Sequence, residues 1–156
     1  FSFFFNFGKI KEQEGVYYLY GVYDFEPEQK FWRTNLTLNK YSYKSLNVYQ
    51  DAKTLVINVY QLLKQFPPEE RYALCDQIRR AAISITSNIS EGVSRFAKKE
   101  KTHFIEIAYA SMMEVDSQLD ISVELGYISL EEYKAIHNQV CSIARQLSAL
   151  RTKILT

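Results

Sequence analysis

The last two dozen residues constrain this chain most. Tyr133, Ile136, Val140, Ile143, Leu147, Leu150 and Ile154 recur at alternating steps of three and four. A strand would scatter such a set over two faces, whereas a helix of 3.6 residues per turn gathers it into one stripe. Helices draw most of their stability from burying such a stripe, so the chain must supply partners for it. Three further stretches do. Val48, Ala52, Leu55, Val59, Leu62 and Phe66 form one face; Leu74, Ile78, Ala81, Ile85 and Ile89 a second; Phe104, Ala108, Ser111, Val115, Leu119 and Ser122 a third.

The punctuation between these stripes sets the element boundaries. Ser45 reads as the N-cap of a first helix reaching about Gln65. Pro67-Pro68 stops it, because a residue before proline is pushed out of the α region, and the same prolines can open the next helix, with Glu69 and Glu70 in its first turn. That second helix ends near Gly92 and is rich in Ala81, Ala82, Ser84, Ser87 and Ser90, small enough for another helix to approach closely. A third runs from Lys98 to Leu125 and stops at Gly126, a left-handed terminator. Ser129 and Glu132 make a capping box for the fourth. Four long helices joined by short turns predict an all-α, antiparallel up-down four-helix bundle over residues 45–156. Tyr49, Val56, Tyr60 and Leu63 add a second apolar set to the first helix, readable as a self-association surface or as rings lying along the core margin.

Residues 1–44 have a different character. Val16–Val22 is β-branched and aromatic, which suits a short strand or hairpin; the alternative is a disordered or leader-derived extension. The sequence opens on Phe1 and carries methionine only at Met112 and Met113, which reads as a fragment, a processed end or a translated leader.

Composition narrows function mainly by what it lacks. Net charge is +1 in 156 residues, so a nucleic-acid surface has to be a local patch. No apolar run reaches the ~18 residues of a membrane helix, so no membrane partner is expected. Cys75 and Cys141 read as reduced, buried thiols of a cytoplasmic protein, a disulfide between two helices being the alternative, and no nucleophilic role is expected of them. Glu100-Lys101-Thr102-His103 matches the Glu-x-x-His motif of di-iron bundles once, but Lys134 stands where the second glutamate belongs before His137. No phosphate loop and no Cys-x-x-Cys is present. The expectation is therefore a non-enzyme with no catalytic residues, no metal and no cofactor.

The basic residues point somewhere. Arg79 and Arg80 lie beside the stripe of the second helix, and Arg95, Lys98, Lys99 and Lys101 gather at the turn into the third, where they can meet phosphates. Two blander readings compete. The arginines can pair with Glu106, Glu114 or Asp116 on a neighbouring helix, and the lysines can be a solvated helix start.

The segments Leu46-x-Val48-Tyr49-Gln50-x-Ala52, Phe66-Pro67 and Gln77-Ile78-Arg79-Arg80-Ala81-Ala82-x-Ser84-Ile85-x-Ser87-Asn88-Ile89-x-Glu91-Gly92 resemble the bacterial 23S rRNA intervening-sequence proteins. Phe104-x-x-Ile107-Ala108, Gln118-Leu119 and Leu125-Gly126-Tyr127-Ile128 continue the resemblance in order. It implies a four-helix bundle and, through the related accessory variability protein of diversity-generating retroelements, a homopentamer contacting RNA or DNA and a reverse transcriptase. Carried onto this chain, the motif positions are Gln77, Arg79, Arg80, Ser87, Asn88, Glu91 and Gly92. Ser87 and Asn88 can hydrogen-bond across helices, so the motif suits assembly geometry as well as a ligand site, and Glu91 is placed to pair with Arg95.

Overall fold

The computed structural model describes residues 9–13, 16–20 and 43–156. The chain divides into two units between residues 42 and 43, each described by itself. In the first, strand β1 (Lys9–Gln13) pairs antiparallel with β2 (Val16–Tyr20), Lys9 opposite Tyr20 and Gln13 opposite Val16. The strand predicted from the aromatic run is thus present and takes the preceding polar segment as its partner. Other expectations for residues 1–42 fall outside the described residues.

The second unit is the four-helix bundle: α1 (Asn47–Leu62), α2 (Leu74–Ser94), α3 (Lys98–Glu124) and α4 (Leu130–Leu155). Cross-helix partners show the alternating direction. Along α1, Asp51, Asn58 and Gln65 beyond its end meet Gln146, Gln139 and Glu132 of α4 in descending order. Glu106 and Asp116 of α3 likewise meet Arg151 and His137 of α4. Each helix packs on its chain neighbours, α1 also closes against α4, and α2 against α3 is the most extensive contact.

The core is the set of stripes read from the sequence. Leu55, Val59, Ile78, Ile85, Ile89, Val115, Leu119, Val140, Ile143 and Leu147 are all buried. Three details differ. Leu46, not Ser45, occupies the N-cap of α1, with no side-chain cap, and a 3-10 turn at Tyr43–Ser45 precedes it. Pro67-Pro68 opens a 3-10 turn, Pro68–Tyr72, rather than α2 itself; α2 starts at Leu74, whose N–H donates to the Glu70 carboxylate at 3.1 Å. In α3 the buried residue is Ile105, with Met112 about two turns later, while Phe104 is half-buried at the edge. The second apolar set of α1 mostly serves this chain's own core: Leu63 is buried, Tyr49 and Val56 pack against the core, and Tyr60 stays exposed.

Both predicted stop and start signals are present. Gly126 has φ of 73°, and the N–H groups of Gly126 and Tyr127 donate to the carbonyls of Val123 and Ser122, each at 2.9 Å, closing α3 with a Schellman motif. Ser129 Oγ accepts from the Glu132 N–H at 3.2 Å while Glu132 returns a carboxylate to the Ser129 N–H at 2.9 Å. The Ser129 backbone N–H, the Gln65 amide and the Ser129 hydroxyl hold the Glu132 carboxyl below its ordinary range. A depressed folded-state value means that this contribution is present above the ordinary glutamate range and is lost as pH falls through the lowered one. Ser129→Ala should cost about 0.5–2 kcal/mol in urea unfolding at neutral pH. The cost should shrink on acidification, once Glu132 no longer draws on the box.

Candidate nucleic-acid interface at the α2–α3 corner

Three residues, Arg95, Phe96 and Ala97, turn the chain from α2 into α3. Arg95 leaves the helix in extended conformation, its N–H still held by the Gly92 carbonyl at 3.3 Å. Its guanidinium pairs with Glu91 one turn back and lies 4.8 Å from the ring centre of Phe104. Those two contacts fix the corner, and they leave the next side chain no inward direction. Phe96 is fully exposed, at 101%.

Ala97 supplies no side-chain cap to α3, whose first turn carries Lys98, Lys99 and Lys101 against one acid, Glu100. Lys98 and Lys99 are exposed and Lys101 half-exposed, and none of the three ammonium groups has an ion-pair partner among the described residues. Cations at a helix start oppose the positive end of the dipole, so this turn gains from an anion brought to it. A groove of about 550 Å³ runs beside the corner between Tyr43, Ser90, Glu91, Ser94, Arg95, Phe96 and Glu100. Its two carboxylates make the groove itself a poor phosphate seat; the lysines outside it are the available cations.

The sequence model of the 23S rRNA-intervening sequence proteins matches residues 44–149, two thirds of the chain and nearly all of the bundle. The chain belongs to this family. A crystal structure from Bacteroides thetaiotaomicron, of a protein of unknown function from the S23 ribosomal protein family, superposes with a TM-score of 0.62 at 23% identity, covering 67% of this chain and 97% of that one. At that identity the likeness speaks for the fold alone. No curated protein matches the chain.

In this intervening-sequence protein the six basic residues predicted from sequence fall into two groups. Arg79 and Arg95 are 16 residues apart, about 24 Å along α2. At the far end Arg79 donates to the Arg71 carbonyl at 3.2 Å, and Arg80 pairs at 3.4 Å with Asp76 of its own helix. Neither reaches Glu106, Glu114 or Asp116, which pair with Arg151, Gln118 and His137. Arg80 is therefore partly neutralised, Arg79 keeps its charge with no acid partner among the described residues, and the corner holds the other open cations.

The motif positions of the family are divided between seam and surface. Asn88 donates to the Ser84 carbonyl at 2.7 Å and to Ser84 Oγ at 2.9 Å, and Ser84 Oγ meets Ser111 Oγ of α3 at 2.9 Å. Asn88 thus orients a hydroxyl that crosses the seam instead of crossing it itself. Gly92 is buried there, Glu91 holds Arg95 as expected, and Gln77 and Ser87 are exposed.

Sequence reasoning passed over two features. Phe96 was visible as an aromatic residue off every helical stripe and inside a charged turn. The other joins α3 to α4: His137 Nδ1 lies 2.8 Å from Asp116 Oδ1, and its Nε2 lies 3.4 Å from Cys141 Sγ. The four-residue spacing of His137 and Cys141 placed both on one helix face, a signal that was in the sequence. Among the described residues no group of three or more His, Cys, Asp or Glu is arranged to hold a metal ion, and no helix is long and apolar enough to cross a membrane.

Proposed function

We propose that this protein acts without catalysis, as a homo-oligomeric cytoplasmic accessory protein that binds single-stranded RNA or DNA at the α2–α3 corner. One observation carries the reading: a fully exposed phenylalanine among lysines with no acid partner. Single-strand binders combine cations that track phosphates with aromatic faces on which bases stack, and a duplex offers no base face to Phe96. Arg79 lies too far away to share the same nucleotide and serves as a second phosphate contact farther along the strand. Self-association is supported by Ile57, Tyr60, Ile83, Tyr109 and Ile121, apolar side chains left exposed along α1, α2 and α3. A five-membered ring and a reverse transcriptase partner are what the retroelement resemblance adds.

The test is fluorescence anisotropy with labelled single-stranded RNA, single-stranded DNA and duplex at about 50 and 200 mM salt. Single strands should bind more tightly than duplex. Phe96→Ala should weaken them about tenfold, the loss of one stacked base at about 1–3 kcal/mol. Replacing Lys98, Lys99 and Lys101 with alanine should flatten the log–log salt slope by about 2, at roughly 0.7 per phosphate contact on a single strand. Salt-independent binding, or an unchanged affinity in Phe96→Ala, defeats the reading. The same exposed apolar residues also suit a protein-interaction scaffold with no nucleic-acid role. Retention of a protein partner in nuclease-treated extract, with no single-strand binding by the pure protein, would decide for that alternative.

A further inference from the structure

We propose that Cys141 is a thiol-exchange site for small disulfides, with His137 as its proton acceptor and Asp116 as the residue that positions His137. Independently of the corner, this site rests on one continuous chain of contacts. Asp116 Oδ1 of α3 takes the Nδ1 side of the His137 ring at 2.8 Å. With Nδ1–H donated to the carboxylate, Nε2 carries the lone pair, and the atom facing it at 3.4 Å is the Cys141 sulfur. The second contact of the ring, Tyr133 Oη, is also 3.4 Å from Nδ1 and lies on the same side as the carboxylate, so it does not compete for Nε2.

The cluster is open to small reagents. The His137 side chain is 43% exposed, that of Asp116 20%, and Cys141 is half-buried. Cys75 provides the contrast within the same molecule. It is 1% exposed and has no histidine against it, and burial pushes its thiol up, with Arg79 opposing and Glu70 adding. A thiol that is accessible and has its proton aimed at an imidazole is the reactive kind; a buried one without a base is inert.

The surroundings select the chemistry. Attack on a carbonyl needs donors for the developing oxyanion. Cys141 lies in the interior of α4, where the backbone N–H groups are spent on carbonyls four residues back. Displacement at a disulfide sulfur develops no oxyanion and needs only a nucleophile, a proton acceptor and access. The proton on Cys141 Sγ moves to His137 Nε2 and the sulfur attacks one sulfur of R–S–S–R. The S–S bond breaks, its electron pair leaves on RS⁻, and RS⁻ recovers the proton from the imidazolium. The products are the mixed disulfide Cys141–S–S–R and RSH, with the oxidising equivalents conserved.

The experiment uses the whole protein and a nitrobenzoate disulfide whose leaving thiolate is coloured. Native protein should release one fast equivalent, absent in Cys141→Ser, and a second, from Cys75, only on denaturation. His137→Gln should slow the fast phase about tenfold or more at neutral pH. The pH profile separates a base from a packing role. The wild-type rate should level off at a lower pH than that of His137→Gln, in which no neighbouring base takes the thiol proton. The titratable groups in contact with the ring are Asp116 of α3 and Tyr133 and Cys141 of α4, and Asp120 of α3 acts on Tyr133 beside it; α1 meets α4 elsewhere, through Gln139 and Gln146. Asp116→Asn should give an intermediate rate and a displaced profile at unchanged helicity. A native rate no faster than that of free glutathione, or a wild-type profile that follows an ordinary thiol, overturns the proposal even if the histidine variant fails to fold.

Discussion

Ile85→Ala is expected to lower the unfolding free energy by about 2–5 kcal/mol, while Ile83→Ala, two residues away on the same helix, should change it by less than about 0.5 kcal/mol at protein concentrations too low for self-association. The substitution is chemically identical in both places, and alanine is the better helix former in both. Only burial differs: Ile85 is 0% exposed, at the centre of the seam between α2 and its neighbours, and Ile83 is 45% exposed. Truncating Ile85 removes apolar area and leaves a cavity that four packed helices cannot collapse around fully. Urea titrations read the difference as a shift in midpoint at constant slope. The pair also tests self-association. An Ile83→Ala cost that grows with protein concentration would mean that Ile83 is buried against a second copy, because subunit contacts enter apparent stability by mass action.

The stripes of α1, α2 and α4 were legible because their buried positions are apolar and their steps regular. In α3 the reading slipped by one residue, to Phe104 in place of Ile105. That helix buries Thr102, Ser111 and Ser122 along with its apolar residues. Two of these hydroxyls hide their polarity by donating to the carbonyl one turn back, Thr102 to Lys98 at 2.8 Å and Ser122 to Gln118 at 2.7 Å. Ser111 and Ser122 were nonetheless read as inward, so the slip is confined to the start of the helix, where Phe104 and Ile105 are adjacent and the larger side chain drew the assignment. What decides it is the approach of α2, which turns the Phe104 ring outward beneath Arg95.

At the corner, the cations and the Glu91–Arg95 pair followed from i,i+4 spacing, whereas the isolation of Phe96 did not. Exposure depends on what the neighbouring helices leave uncovered, a tertiary property with no local signature. The same holds for the Asp116–His137 contact. Its residues are 21 positions apart and meet only because α3 and α4 run antiparallel in this register.

Gly92 ties the packing to the corner, and its substitution gives the second large effect. A β-carbon on Gly92 would stand 3.0 Å from Phe104 Cβ and 3.2 Å from the Lys101 carbonyl oxygen. Neither atom sits at the end of a flexible chain; both move only if the first turns of α3 move. Against this, alanine gains about 1 kcal/mol of helix propensity over glycine. Gly92→Ala should therefore come out near neutral to about 1 kcal/mol destabilised, and Gly92→Leu, which drives further atoms into the seam, about 2–3 kcal/mol or worse. Both displace the turn that carries Lys98, Lys99 and Lys101, and they loosen Phe104 from Arg95. Single-strand affinity should fall in Gly92→Ala although no charge and no aromatic ring has been removed. Truncating the obstructing side chain offers a sharp control. Phe104→Ala combined with Gly92→Ala should not restore the seam, because alanine keeps the β-carbon that clashes; Phe104→Gly clears that contact but leaves the Lys101 carbonyl. If Phe104→Ala rescued Gly92→Ala, the ring rather than the backbone approach would be setting the distance between α2 and α3, and the corner would owe its geometry to a side chain.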